Sequence, residues 1–351
     1  MERCNPASPH AGAWVATPPA LLSPRPPCCG WDRDAYLQNT KDCGSERQRS
    51  PRRIHGSYPL HTPLSDSPLA HIGGHACTCQ GFVDALEWRP SSCELPSFDP
   101  RRFCQLLNGR RMLFIGDSTV EQAASVLMNS VQMGYWGTGE TSCATSISVA
   151  DADTLFHLDL GRYNRGWTVP DAIREARQPE IVVLSAGAHV YGQDNFTRLL
   201  RHVAGSARRI TRNASLIWMT TLPGGCGSSS LDEPPAATPG FWTALGARGM
   251  KLFNWAELEG FARIARDFWA ANGDACVLDT SPLARRVDAH VGSPRGDEAT
   301  KWANASAWGE NRKKLETRDC LHWCVPGPLS SLVPRLLLNL LESRPRCGRQ
   351  L

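Results

Sequence analysis

The run Met112-Leu-Phe-Ile-Gly-Asp-Ser-Thr-Val120 constrains this chain more than any other stretch. Four consecutive apolar residues without polar alternation predict a short strand buried on both faces, as parallel sheets covered by helices require. Gly116-Asp117-Ser118 then breaks the strand, and Val120, Ala123, Ala124 and Leu127 recur at the spacing of one helix face. A serine at that junction stands at the carboxyl end of the sheet, where open α/β sheets place their ligands. Its backbone N–H also belongs to a helix N-terminus, which stabilises negative charge. Ser118 therefore offers both a nucleophile and half of an oxyanion site. The competing reading is a turn in which Ser118 only caps the helix. The pattern is not the Gly-x-Ser-x-Gly elbow, because Val120 stands where the second glycine would be.

Further strands and helices alternate after this unit. Glu180–Ser185, Leu216–Thr220 and Ala275–Asp279 read as buried strands, and Thr154–Leu160, which alternates, reads as a strand nearer the sheet edge. Phe196, Leu199, Leu200 and Val203 line one helix, Leu252–Ala271 forms a long second one, and Leu332–Leu341 a last amphipathic one. The expected fold class is α/β, with a parallel sheet covered by helices on both faces. The expected catalytic domain runs over 77–345, its first part, 77–105, an irregular packed lead-in. Residues 1–76, rich in Pro, Gly, Ser and Arg, read as a loop-rich, partly disordered region tied down by disulfides. His71-Ile-Gly-Gly-His-Ala-Cys-Thr-Cys79 is too cramped for a metal site, so no metal is expected. The loop Pro223–Ser230 lacks the Walker lysine and glycine spacing and reads as a rim.

The 38 basic and 34 acidic residues are too balanced to imply nucleic-acid binding. Fourteen cysteines, scattered rather than paired in knuckles, point to disulfides and an oxidising compartment. Sequons at Asn195, Asn213 and Asn304 agree. The chain opens without an apolar h-region, and no stretch of about 20 apolar residues could span a membrane. The expectation is therefore a lumenal protein whose N-terminal anchor is missing from this sequence.

Asp319 and His322 lie three residues apart, so in a tight turn they share a face. An aspartate there can accept from one imidazole nitrogen and leave the other as a base for a serine. The flanking Cys320, Trp323, Cys324, Pro326 and Gly327 are residues that lock a turn.

Three motifs together, Trp88-Arg-Pro-Ser-Ser-Cys-Glu-Leu-Pro-Ser-Phe-Asp99, Gly116-Asp-Ser118 and Asp319-Cys-Leu-His-Trp-Cys-Val-Pro-Gly327, resemble the trichome birefringence-like family. These are polysaccharide O-acetyltransferases of the PC-esterase group, related to SGNH/GDSL hydrolases. The resemblance covers about Cys77 to Leu341. It implies a three-layer α/β/α SGNH-like fold, with Ser118 as nucleophile, His322 as general base and acid, and Asp319 as its orienter. Gly187 resembles the family's second oxyanion donor. Many relatives read Asn-x-Gly-His there, whereas this chain reads Ser185-Ala-Gly-Ala-His189, so Ser185 or a backbone N–H must substitute. Asp117, Ser185 and His189 join Gly187 as oxyanion and substrate-binding candidates.

The resemblance further implies a Golgi-lumenal O-acetyltransferase acting on a cell-wall or extracellular polysaccharide. No cofactor stays bound; the acetyl donor, acetyl-CoA-derived or handed over by a membrane protein, is a co-substrate. Two rivals stand beside it. One is an acetylesterase using the same triad on acetylated glycans. The other is an inactive carbohydrate-binding relative whose disulfide-rich lobe does the work. In the enzyme reading, Trp136, Tyr163 and Trp167 are candidates to stack on sugar rings in the acceptor cleft.

Overall fold

The computed structural model describes residues 3–5, 11–16, 86–135, 142–161, 164, 166–210, 214–225, 255–286, 289–290, 321–323 and 327–343. Five strands make one fully parallel sheet: β3 (Met112–Gly116), β4 (Ile147–Asp151), β5 (Ile181–Leu184), β6 (Ser215–Met219) and β7 (Cys276–Leu278). Their spatial order is β4-β3-β5-β6-β7. Strands β3, β5, β6 and β7 are buried at every position, which explains why they read as unbroken apolar runs.

Alternate residues of the sheet feed two separate cores. Met112 and Phe114 face helices α1 (Pro100–Leu107), α2 (Ser118–Gly134) and α6 (Pro328–Ser343), where Val120, Leu127, Leu332 and Leu336 are buried. Leu113 and Ile115 face α3 (Val169–Glu175), α4 (Gln193–Ile210) and α5 (Trp255–Asn272). On that side Phe196 stacks on Phe261 at 4.4 Å, with planes 6° apart. The fold is thus the expected three-layer α/β/α arrangement. The helical faces at 120–127 and 196–203 are buried as their spacing predicted.

The edge strand lies elsewhere than expected. Thr154–Leu160 is not a strand; β4 pairs with β3 instead, Ile147 opposite Met112 through Asp151 opposite Gly116. The alternation at 154–160 is real, but Leu155 (φ 63°) and His157 (φ 54°) have left-handed backbones that no ladder can accommodate. Leu155 is buried in the second core and its carbonyl accepts from Val169 N, so the segment caps the sheet end as a packed loop.

The lead-in to the sheet is more regular than expected. It holds β2 (Leu86–Pro90) and α1, which Asp99 caps by accepting from the backbone N–H groups of Arg101 and Arg102, with Pro100 at the first helical position. Strand β1 (Gly12–Ala16) pairs antiparallel with β2. Five residues are too few to show a period, and nothing in the sequence announced it. Trp14 is buried and its indole N–H donates to the Pro282 carbonyl. The Arg335 guanidinium of α6 donates to the carbonyls of Trp88, Leu95 and Pro96.

Disulfides join Cys4 to Cys93 and Cys104 to Cys143, and Cys276 is also disulfide-bonded. The Cys104–Cys143 bridge closes 39 residues containing β3 and α2. A loop of that length predicts that replacing both cysteines by alanine costs about 3–4 kcal/mol through the freed unfolded chain. Urea unfolding would register this as a lower midpoint with a steeper slope, because the freed unfolded chain exposes more surface; an unchanged midpoint would mean the loop is held by packing alone.

Candidate active site

In the order β4-β3-β5-β6-β7, chain progression reverses between β3 and β5. The crevice beyond the carboxyl ends of those two strands is where doubly wound sheets bind ligands. Ser118 stands there as the first residue of α2. His322, half-buried, arrives from the segment before α6, and its Nε2 lies 2.8 Å from Ser118 Oγ. A neutral imidazole nitrogen at that distance accepts the hydroxyl proton. Two residues separated by 204 positions thus meet in hydrogen-bonding geometry. Asp319 lies outside the described residues, as do Trp136, Tyr163 and the segment His71–Cys79.

The loop after β5 closes the other side. Ser185 is buried, its N–H donates to the Ile115 carbonyl, and its own carbonyl presses on Gly116. A Cβ on Gly116 would stand 2.4 Å from that oxygen, so only glycine fits. Gly187 is equally confined: its Cβ would meet Thr221 Cγ2 at 2.2 Å, while Thr221 Oγ1 donates to the Ala186 carbonyl. Asp117 is 1% exposed and spans the two loops. One carboxylate oxygen accepts from the N–H and hydroxyl of Thr119, the other from the Ala188 N–H at 3.2 Å. Both oxygens accept from protein donors, which makes Asp117 a brace between the Ser118 turn and the loop. His189 Nε2 lies 3.3 Å from Asp153 Oδ1, both side chains largely buried. Trp167 is half-buried against the second core.

No family model matches the chain. It is similar to protein trichome birefringence-like 18 of Arabidopsis thaliana, 26% identical over 78% of this chain, spanning 61% of that relative's length. With protein trichome birefringence-like 24 of the same plant it shares 25% identity over 81% of this chain and 78% of the relative. With probable xylan O-acetyltransferase 11 of Oryza sativa subsp. japonica it is 33% identical, over 72% of this chain and 75% of the relative. The chain belongs to the trichome birefringence-like family. The names of the xylan O-acetyltransferase relatives support polysaccharide O-acetyltransferase activity at the level of that family.

Beneath the Ser118 turn of this family member lies a cluster that sequence reasoning missed. Glu121 (6% exposed), Asp151 and Asp153 accompany Asp117. Burial, then repulsion from Asp151 and Asp117, holds the Glu121 carboxyl well above the usual range. Burial, then Asp153 and Asp117, pushes Asp151 up to about 7. These acids come from separate segments, and Glu121 on a helix reads as a solvated residue. The available signal was its place three residues before Ala124 on the apolar face.

The Asp151 shift carries a pH dependence. The folded state keeps this proton up to about pH 7, whereas the unfolded chain releases it near 3.8. Between those values the native state binds more protons, so this group makes stability fall as pH rises, with the full penalty above 7. Asp151→Asn cannot ionise and should raise stability at pH 8 by roughly 1–3 kcal/mol, with the gain shrinking toward pH 5. Thermal melts of both proteins across that range provide the check; a constant difference would mean Asp151 has no such shift.

Proposed function

We propose that this protein is a polysaccharide O-acetyltransferase that works by double displacement through an acetyl-Ser118 intermediate. The observation that carries the reading is the 2.8 Å approach of His322 Nε2 to Ser118 Oγ at the sheet's reversal point. His322 takes the Ser118 proton as Oγ attacks the acetyl carbonyl, then passes it to the departing donor as the bond between acetyl group and donor breaks. A sugar hydroxyl next loses its proton to His322 and attacks the acetyl-serine, and Ser118 Oγ leaves with that proton. The developing oxyanion is assigned to the N–H groups of Ser118, at a helix N-terminus, and Gly187, with Ser185 in the position many relatives give to asparagine. Asp319, three residues before His322, is assigned the orienting role. Its supporting argument is the spacing in the sequence.

The acceptor is a hydroxyl-rich polysaccharide of the xylan type, after the names of the rice relatives. The donor is an acetyl ester or thioester, acetyl-CoA-derived or handed over by a membrane protein. The disulfides favour an oxidising compartment, which the Golgi lumen would provide. Among the described residues no helix is long and apolar enough to cross a membrane.

Mass spectrometry of xylan and other glycan oligomers, incubated with protein and an acetyl donor, tests this. The wild type should add mass increments of one acetyl group. Ser118→Ala and His322→Ala should each lower that rate at least about 10³-fold with unchanged melting temperature. Donor consumption yielding free acetate alone would favour an acetylesterase, and near-normal transfer by either variant would remove the serine–histidine mechanism.

A further inference from the structure

His322 reaches Ser118 from a segment outside the helix that carries the nucleophile, so that segment must itself be held at a fixed distance from α2. Its neighbour Trp323 is fully buried, and both polar groups of the Trp323 backbone bond to one side chain. The Trp323 N–H donates to Gln122 Oε1 at 2.9 Å, and the Gln122 amide donates through Nε2 to the Trp323 carbonyl at 2.6 Å. Gln122 is fully buried and lies four residues after Ser118 on α2, so the two side chains share one helix face. Its amide presents a donor and an acceptor to one residue, much as a neighbouring strand would. From the other side His290 forms an isolated antiparallel bridge with Trp323, their rings 4.2 Å apart.

We propose that Gln122 is a positioning residue that sets the distance and angle between Ser118 and His322. The proposal rests on Ser118 and His322 acting as nucleophile and base. Removing the amide leaves two buried backbone groups of Trp323 unpaired, and the segment relieves them only by shifting toward water. A shift on the order of 1 Å in the base is enough to lower a proton transfer about 10²-fold. The plainer role for such a residue is to stabilise the fold, and the experiment must separate the two.

The full chain would be treated with a fluorophosphonate, which joins phosphorus to Ser118 Oγ with loss of fluoride and needs the same base but no sugar. The rate would be followed by intact mass and peptide mapping, and expressed per folded molecule from near-ultraviolet circular dichroism, between pH 5 and 8. Gln122→Met keeps the shape without hydrogen bonds and should label about 10–100-fold more slowly. Gln122→Glu is the rescue variant. A protonated carboxyl supplies one donor and one acceptor as the amide does, and burial raises its pKa. Its rate relative to wild type should therefore rise toward one on acidification and fall as pH increases. Asp117, Glu121, His290 and His322, the titratable groups of this region, are present in both proteins, so the ratio reports what a carboxyl at position 122 changes, its field on those groups included.

A residue serving only the fold would lower the melting temperature and leave the rate per folded molecule unchanged. Wild-type rates per folded molecule in both variants across the range would thus overturn the proposal while leaving the Ser118 reading intact. If Gln122→Met does not fold, the pH course of Gln122→Glu decides. A wild type unlabelled at Ser118, or a Ser118→Ala protein labelled as fast, would take down the nucleophile reading and the clamp with it.

Discussion

The contact between Gly116 and the Ser185 carbonyl is the constraint on which the rest of the site depends. Strands β3 and β5 are parallel neighbours, so their carboxyl ends emerge side by side. With no side chain at 116, the chain leaving β5 crosses directly over the turn that starts α2. That crossing brings the Ala188 N–H to the Asp117 carboxylate and stacks the loop 185–189 against the helix N-terminus. A bulkier residue at 116 would push the two loops apart, and the Ala188 N–H would no longer reach the Asp117 carboxylate. Gly187 repeats the device one strand further on, where the same loop passes the end of β6 against Thr221.

This close packing has an electrostatic cost. Asp117, Glu121, Asp151 and Asp153 share a region largely withdrawn from water, where Asp117 and Asp151 raise the free energy of ionising Glu121, and Asp153 and Asp117 that of Asp151. Apolar residues like those of the first core could have filled the same volume without that penalty. Buried carboxyls clustered beside a strand-to-helix turn are an arrangement typical of functional sites. Here Asp117 is the member that braces the two loops. His189 faces Asp153 at the margin of the same cluster, close to the loop that carries Gly187.

The first and last described segments are held by partners far away in the chain. Cys4 is bridged to Cys93, its carbonyl accepts from Asn339 of α6, and Trp14 reaches Pro282. Helix α6 in turn packs on α2, beside the segment that delivers His322. Strand β1, helix α6 and helix α2 therefore share one core. Stability of that layer and geometry of the serine–histidine pair are linked through the same side chains.

Local chemistry was enough to locate much of this in the sequence. Unbroken apolar runs identified β3, β5, β6 and β7, the 3.6-residue period identified α2 and α4, and a serine after a buried strand marked the site. All of these depend on neighbours within one or two turns. Where the pattern failed, long-range packing had overruled it. The alternation at 154–160 was spent on a loop with two left-handed residues, and β1 exists only because β2 is there to pair with it.

By itself, then, the sequence determined the α/β class, the strand–turn–helix unit at Ser118 and a histidine in a locked turn as its potential partner. Tertiary structure alone decided that Ser118 and His322 meet, that Asp117 braces a loop 71 residues away, and that Gln122 grips Trp323 across 201 positions. The physical reason is the range of the forces. Periodicity and turn propensity act between residues close in the chain, whereas hydrogen bonds and buried charges respond only to distances in space.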